Sequence, residues 1–349
     1  MHEALTGLLA RRTVADRATW RSLWDRLGDG TLPREQAVAL LASLATRLPD
    51  PATLHALTGS LRERHPAPAG DTWPGTVNVV GTGGGPATFN ISTAAAFVAA
   101  AAGVRVVKTG SRAYTSSLGS VDLLERLGVR STSSRGETED VLDEYGIAFA
   151  GPFVYPAELA RLARTVAPVS MKPFGRFLNA VGPFLGELPV AAQVTGVSRI
   201  MPLDDLRALA GTLTDRTVWL CANDVGADEL LGFADNVVHV NDGRLLRLGP
   251  GRVVAAEGGL EDLRPVPREQ AAQHFLAVLG GRAHPVATRT VCLNAAALSV
   301  AAGHHTTWET ALAAAEAAVA DGAAVDLVGR LRARRAAPRT PHPSGARRG

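Results

Sequence analysis

The sequence predicts an α/β protein, with a small N-terminal helical domain packed on a larger α/β domain that has a mainly parallel central sheet. Three observations lead there. Residues 1–65 place apolar side chains at spacings of three and four, the helical period. From residue 77 onward, short β-branched runs alternate with helical segments, the pattern of a parallel sheet covered on both faces. Between these regions, residues 66–75 hold three prolines and two glycines and read as a link.

The first helices are expected at Leu5–Leu9, Trp20–Leu27, Glu35–Leu48 and Leu54–Leu61, with Thr31 as a cap and Pro33 near the first turn of the third. Val77–Val80 is then a strand, Gly81-Thr82-Gly83-Gly84-Gly85-Pro86 a turn, Asn90–Ala102 a helix and Val104–Val107 a second strand. Helices follow at Ser120–Leu127 and Glu139–Tyr145. Later strands are expected at Ala191–Val194, Thr217–Cys221, Asn236–Val240 and Leu245–Leu248. The closing helices are Arg268–Leu279, Thr288–Ala302 and Trp308–Ala320. The boundaries that follow are a helical domain over 1–68, completed by helices around 170–190, an α/β domain over 76–325, and a tail over 330–349.

A chain of 349 residues that is 46% apolar can bury one large core plus a smaller unit. Its start has no basic patch followed by an apolar stretch, so no targeting segment is expected and the location is cytoplasmic. The run from Ile91 to Val107 is the nearest approach to a membrane span, but it holds Ser92, Thr93 and Arg105. Cys221 and Cys292 lie far apart among apolar residues and read as core. The formal charge is +3, yet residues 330–349 carry seven arginines and no acid, which leaves the body at about −4. The tail reads as disordered and solvated. With no helix-turn-helix, stacking aromatics or basic face elsewhere, nucleic acid is not an expected partner.

Three polar clusters carry chemistry. The first is the turn Gly81–Gly85, where glycines let backbone amides face a ligand and the following helix offers unpaired N–H groups. With Asn90, Ser92 and Thr93 at the helix start, this suits a phosphate or pyrophosphate, although a capped tight turn has the same look. The nucleotide-triphosphate loop lacks its Gly-Lys-Ser/Thr here, and Pro86 breaks the dinucleotide fingerprint. The second cluster, Lys108 to Ser120, holds Arg112 and the hydroxyls of Ser116 and Ser120. Lys108 meets a pyrophosphate as a point charge; Arg112 meets it as a fork or pairs with Asp122 or Glu125. The third is Asp224, Asp228 and Glu229, past a strand end, a fair magnesium site or a polar loop. In a parallel sheet the loops after the strands meet at one edge, so these clusters are expected to share a crevice.

Taken together, these segments resemble the anthranilate phosphoribosyltransferase family, whose fold is shared with pyrimidine nucleoside phosphorylases. Gly81-Thr82-Gly83-Gly84 with Thr88-Phe89-Asn90-Ile91-Ser92-Thr93 is similar to the family's phosphoribosyl pyrophosphate loop. Lys108 through Asp122 is similar to its second signature, Phe177-Leu178-Asn179 to its hinge, and Asp228-Glu229-Leu230 to its magnesium pair. The resemblance spans roughly residues 5–325. It implies a magnesium-dependent phosphoribosyltransferase of the nucleoside phosphorylase/phosphoribosyltransferase fold type, a homodimer through the helical domain, and transfer to an aromatic amine with inversion. It assigns catalysis to Lys108, Arg112 and Ser92. It assigns the donor to Gly81, Thr82, Gly83, Gly84, Asn90, Ser92, Thr93, Lys108, Ser116 and Ser120, and the metal to Asp228, Glu229 and Ser92.

The departures lie mainly on the acceptor side. Gly85 stands where the family has aspartate, in a shorter loop. The family's Lys-His-Gly-Asn is Lys108-Thr109-Gly110-Ser111, and its Pro-Val-Arg is Pro168-Val169-Ser170, with Lys172 or Arg176 as substitute cations. Its histidine-proline corresponds to Tyr155-Pro156. Acceptor binding is therefore expected at Thr109, Ser111, Ser170 and Arg176, and the loss of a carboxylate-binding arginine points to an acceptor other than anthranilate. The alternatives are a genuine anthranilate enzyme with compensating residues, a nucleoside phosphorylase-like enzyme, and a non-catalytic phosphate or nucleic-acid binder.

Overall fold

The computed structural model describes residues 1–66, 72–110 and 118–336. Four helices come first: α1 (Glu3–Leu9), α2 (Arg17–Gly28), α3 (Arg34–Thr46) and α4 (Pro51–Arg64). Asp16 caps α2 by accepting from the amides of Ala18 and Thr19, and Asp50 caps α4 by accepting from that of Thr53. Thr31 is not the expected cap; Pro33 occupies that position, and the Thr31 hydroxyl donates to Arg26 O at 3.4 Å.

The chain then runs β1 (Trp73–Gly81), α5 (Ile91–Ala101), β2 (Arg105–Thr109), α6 (Ser120–Leu127), α7 (Arg135–Tyr145) and β3 (Ile147–Ala150). Next come α8 (Ala157–Val166), α9 (Gly175–Val181), β4 (Val190–Gly196), α10 (Leu203–Ala210), β5 (Thr217–Asn223), β6 (Asn236–Val240) and β7 (Leu245–Leu248). The last helices are α11 (Ala271–Leu279), α12 (Pro285–Ala301), α13 (Trp308–Ala320) and α14 (Ala323–Ala336). The seven strands form one sheet in the order β3-β2-β1-β4-β5-β6-β7. Pairing is parallel from β3 to β5 and antiparallel for β6 and β7.

The elements absent from the sequence reading have physical explanations. β3 is four apolar residues that follow α7 after one glycine, too short for a period to show. α14 carries helix through residue 336, into the stretch expected to be tail. Leu327, Val328 and Leu331 are buried, and Arg334 meets Glu137 at 3.4 Å. These buried apolar residues dock the helix on the larger cluster. Residues 337–349 lie outside the described residues.

Two apolar clusters hold the molecule together. The larger packs both faces of the sheet, with α5 at its centre: Ala94 through Ala99 are all at most 1% exposed. Alanine lets this helix sit close to β1, β2 and α12 at once. That accounts for the long apolar run, and no helix among the described residues is long and apolar enough to cross a membrane. The smaller cluster joins α1–α4 to α8–α10 and to Val218 and Leu220 of β5. Trp20 and Trp24 stack within it at 6.1 Å, and Arg62 ties its edge to Glu187 at 2.9 Å.

Register positions the site. Gly81 pairs with Gly196 and Gly196 with Cys221, while Val79 pairs with Lys108, so the carboxyl ends of β1, β2, β4 and β5 fall along one edge. Phe97, fully buried on α5, meets Phe149 at 5.3 Å and Phe275 at 5.8 Å. Replacing Phe97 with alanine should cost about 3–5 kcal/mol of stability, measured by urea denaturation.

Candidate active site

A cleft of about 1440 Å³ lies at that sheet edge. Its floor is the turn after β1. Thr82 N donates to Gly196 O at 2.9 Å, which carries the edge of the sheet one residue past Gly81. Gly83 and Gly84 then take φ of +60° and +81°, the left-handed region that suits glycine. Gly83 N donates to Asp228 Oδ2 at 2.9 Å, and Ser198 Oγ donates to Gly83 O at 2.7 Å. The amides of Gly84 and Gly85 have no acceptor among the described residues. Gly196 must stay bare, because a Cβ there would lie 1.7 Å from Asp228 O.

The turn leads into α5. Asn90 Nδ2 donates to Leu118 O at 3.2 Å, which ties the helix start to the segment before α6. Ser92 Oγ accepts from Lys108 Nζ at 3.1 Å, and the fully buried Thr93 hydroxyl has no partner. Lys108, near the end of β2, is buried, and burial pushes its pKa down to about 8, with the charges of Asp228 and Glu229 opposing the shift. Ser120, at the start of α6, lines the same cleft.

Asp228 and Glu229 follow β5. Glu229 Oε1 accepts from Thr88 Oγ1 at 3.3 Å, while Oε2 is buried without a hydrogen-bond partner among the described residues. Burial raises the pKa of both carboxyls, and for Glu229 the neighbouring Asp228 charge raises it further. Ser92, Asp228 and Glu229 border one small cavity of about 30 Å³ beside the cleft. Among the described residues no three His, Cys, Asp or Glu side chains gather around a point. Two carboxylates and a hydroxyl, one carboxylate oxygen orphaned, fit magnesium, which keeps waters and substrate phosphates as its other ligands. Asp224 is no part of this group; it is exposed and accepts from Asp235 N at 3.0 Å.

On the acceptor side the sequence expectations need correcting. Thr109 lines the cleft, but its hydroxyl donates to Asn78 Oδ1 at 3.2 Å, so it ties β2 to β1. Ser170 and Arg176 are exposed and outside the cleft; Ser170 Oγ accepts from Lys172 N at 3.2 Å and Arg176 donates to Ile200 O at 3.4 Å. Ser111, Arg112 and Ser116 lie outside the described residues. Two further cleft residues are absent from the sequence reading or only loosely placed by it. Tyr155 stands with Leu159, Ala163 and Met171 along an apolar wall. Arg130 lines the cleft, exposed and without a hydrogen bond or ion pair among the described residues. Thr132 bridges to Ala150 of β3, which brings Arg130 to this edge; without β3 in the sequence reading, nothing locates it. Both cysteines are buried, and burial pushes their thiols up to about 12.

Two outcomes follow. Lys108 is charged below about 8, so affinity for inorganic pyrophosphate should fall as pH rises through that value, and Lys108→Met should remove the dependence; calorimetry reads both. A carboxyl whose pKa is raised on folding opposes stability once the unfolded group ionises. Glu229→Gln should therefore lower magnesium-dependent turnover by about 10²-fold or more. In a thermal scan at pH 8 it should melt no lower than the parent.

Comparison with known proteins places the chain in context. The glycosyl transferase family, a/b domain, matches residues 74–325. The anthranilate phosphoribosyltransferase of Methylobacterium nodulans is 33% identical over 316 residues, 89% of this chain and 92% of that protein. The enzyme of Geobacillus thermodenitrificans is 32% identical over 311 residues, 88% of this chain and 90% of its own. Among solved structures, anthranilate phosphoribosyltransferase from Thermus thermophilus superposes with a TM-score of 0.77 at 28% identity, covering 97% of this chain and 100% of that one. The Saccharomyces cerevisiae enzyme in complex with PRPP and Mg shares the fold, with a TM-score of 0.73 at 20% identity and 92% of each chain covered.

Proposed function

Because the chain belongs to the anthranilate phosphoribosyltransferase family and is a phosphoribosyltransferase, we propose that it moves the 5-phosphoribosyl group of phosphoribosyl pyrophosphate to anthranilate and releases pyrophosphate. The observation that carries the donor half is the meeting, in one cleft, of a turn with unused amides, a buried lysine and two adjacent acids, Glu229 buried and Asp228 half-buried. The amides of Gly84 and Gly85 and the Lys108 ammonium face the negative charge that grows on pyrophosphate as the glycosidic bond breaks. Asp228, Glu229 and Ser92 are the residues that would hold magnesium, which neutralises part of that same charge. No side chain is needed as a covalent nucleophile, since positioning and charge stabilisation suffice.

The sequence reading expects an acceptor other than anthranilate. Relatives aligned over nine-tenths of the chain are anthranilate enzymes and favour the plainer reading. Ser170 is exposed and outside the cleft, so a serine at that position removes no charge from the cleft lining. Arg130 supplies a cation there, and its fork suits a carboxylate. Tyr155 and Met171 offer an apolar wall for the ring. The homodimer belongs to the same proposal, and light scattering should give about twice 36.3 kDa.

The test is pyrophosphate release with phosphoribosyl pyrophosphate, magnesium and a panel of aromatic amines. Anthranilate should be turned over, and Arg130→Met should raise its KM about tenfold while that of neutral 2-aminobenzamide moves less. Preference of the parent for neutral amines would remove anthranilate from the reading and leave the donor half standing.

A further inference from the structure

We propose that Ser198 is a positioning residue that holds the pyrophosphate-binding turn in its binding conformation, acting through Gly83 from outside the cleft. The inference rests on the donor reading above.

Three successive glycines are the most conformationally free stretch a chain can contain, and two adjacent amides meet one anion only if their backbone is fixed. Something outside the turn must therefore do the fixing. Ser198 is 1% exposed and does not line the cleft, so it is not a ligand-binding residue. It lies two residues past Gly196, whose partner in the sheet is Gly81. Its backbone N donates to Thr82 Oγ1 at 3.1 Å, and its hydroxyl donates to Gly83 O at 2.7 Å. These two bonds hold consecutive residues of the turn. Ser198 Cβ also limits Gly85, where an added Cβ would come within 3.3 Å of it.

Ser198 is itself well anchored. Val197 N donates to Cys221 O at 2.8 Å and Arg199 N to Gly226 O at 3.2 Å. The Arg199 guanidinium donates to Val225 O at 2.7 Å. The segment after β4 is thus braced against the segment that carries Asp228 and passes that rigidity to the turn.

The other hold on Gly83 is the bond from its amide to Asp228. Asp228 belongs to the carboxylate pair and has to serve a cation as well. A carboxylate that reorients toward a cation loosens its hold on the amide. The Ser198 hydroxyl has Gly83 O as its one acceptor among the described residues, so its hold does not compete with the metal.

The test is Ser198→Ala, with Ser198→Thr as the variant that keeps the hydroxyl. Calorimetry with inorganic pyrophosphate and magnesium should show Kd raised about tenfold in Ser198→Ala, and KM for phosphoribosyl pyrophosphate should rise by the same factor. At saturating donor, kcat and the acceptor KM should stay within about twofold, a split that general loosening of the fold does not produce. Ser198→Thr should recover most of the donor affinity. Should Ser198→Ala not fold, Ser198→Cys keeps a side chain of similar size, puts a weak donor in place of the hydroxyl and should give the same donor-specific loss. Donor affinity equal to the parent in a folded Ser198→Ala or Ser198→Cys protein overturns the inference, as does an equal loss for donor and acceptor. Absence of pyrophosphate binding in the parent overturns the donor reading itself, and the inference with it.

Discussion

The hydrogen bond from the Gly83 amide to the Asp228 carboxylate joins residues 145 positions apart and marks the constraint on which the candidate site depends, the meeting of the glycine turn and the acid pair at one sheet edge. It can form only because β1 and β4 lie side by side with glycine at the end of each. Gly81 and Gly196 are paired, and a side chain on Gly196 would strike the Asp228 carbonyl. The parallel sheet therefore does more than carry the loops. It removes side chains where two loops must interpenetrate, so that a turn rich in amide donors and a pair of acids occupy one place.

That place is electrostatically expensive. Two carboxyls and an ammonium are taken out of water together, and the directions of their shifts record the cost: Lys108 downward by burial, Asp228 and Glu229 upward. Glu229 Oε2 and the Thr93 hydroxyl are buried without a hydrogen bond among the described residues. A fold selected for stability alone would fill or satisfy such positions. Leaving them open is reasonable where a polyanion and a cation are to be received. Beside them α5, rich in alanine and buried along most of its length, packs against β1, β2 and α12.

The two walls of the cleft are built differently. One comes from loops immediately after sheet strands, whose positions follow from register. The other draws Leu159 and Ala163 from α8 and Leu178 and Asn179 from α9, helices whose apolar faces belong to the smaller cluster. Ser170 and Arg176 lie outside the cleft and Arg130 lines it.

By itself the sequence determined the alternation of strand and helix, the glycine turn before α5, Lys108 on the neighbouring strand and the acidic pair after β5. All of these are local: a β-branched run, a glycine cluster or adjacent acids carry their meaning within a few residues. It also carried the family resemblance, because the donor motifs keep their order and their types. Tertiary structure alone decided what each polar side chain does. Thr109 and Asn90 line the cleft, and within the fold the first also ties β2 to β1 and the second also holds Leu118. Ser198 looks like an ordinary loop residue, yet it grips the turn from 115 positions away. The docking of α14 rests on buried leucines that a count of charges does not register. The reason is common to all of them: a hydroxyl or amide takes its role from the nearest partner in space, and that partner is set by packing rather than by its neighbours along the chain.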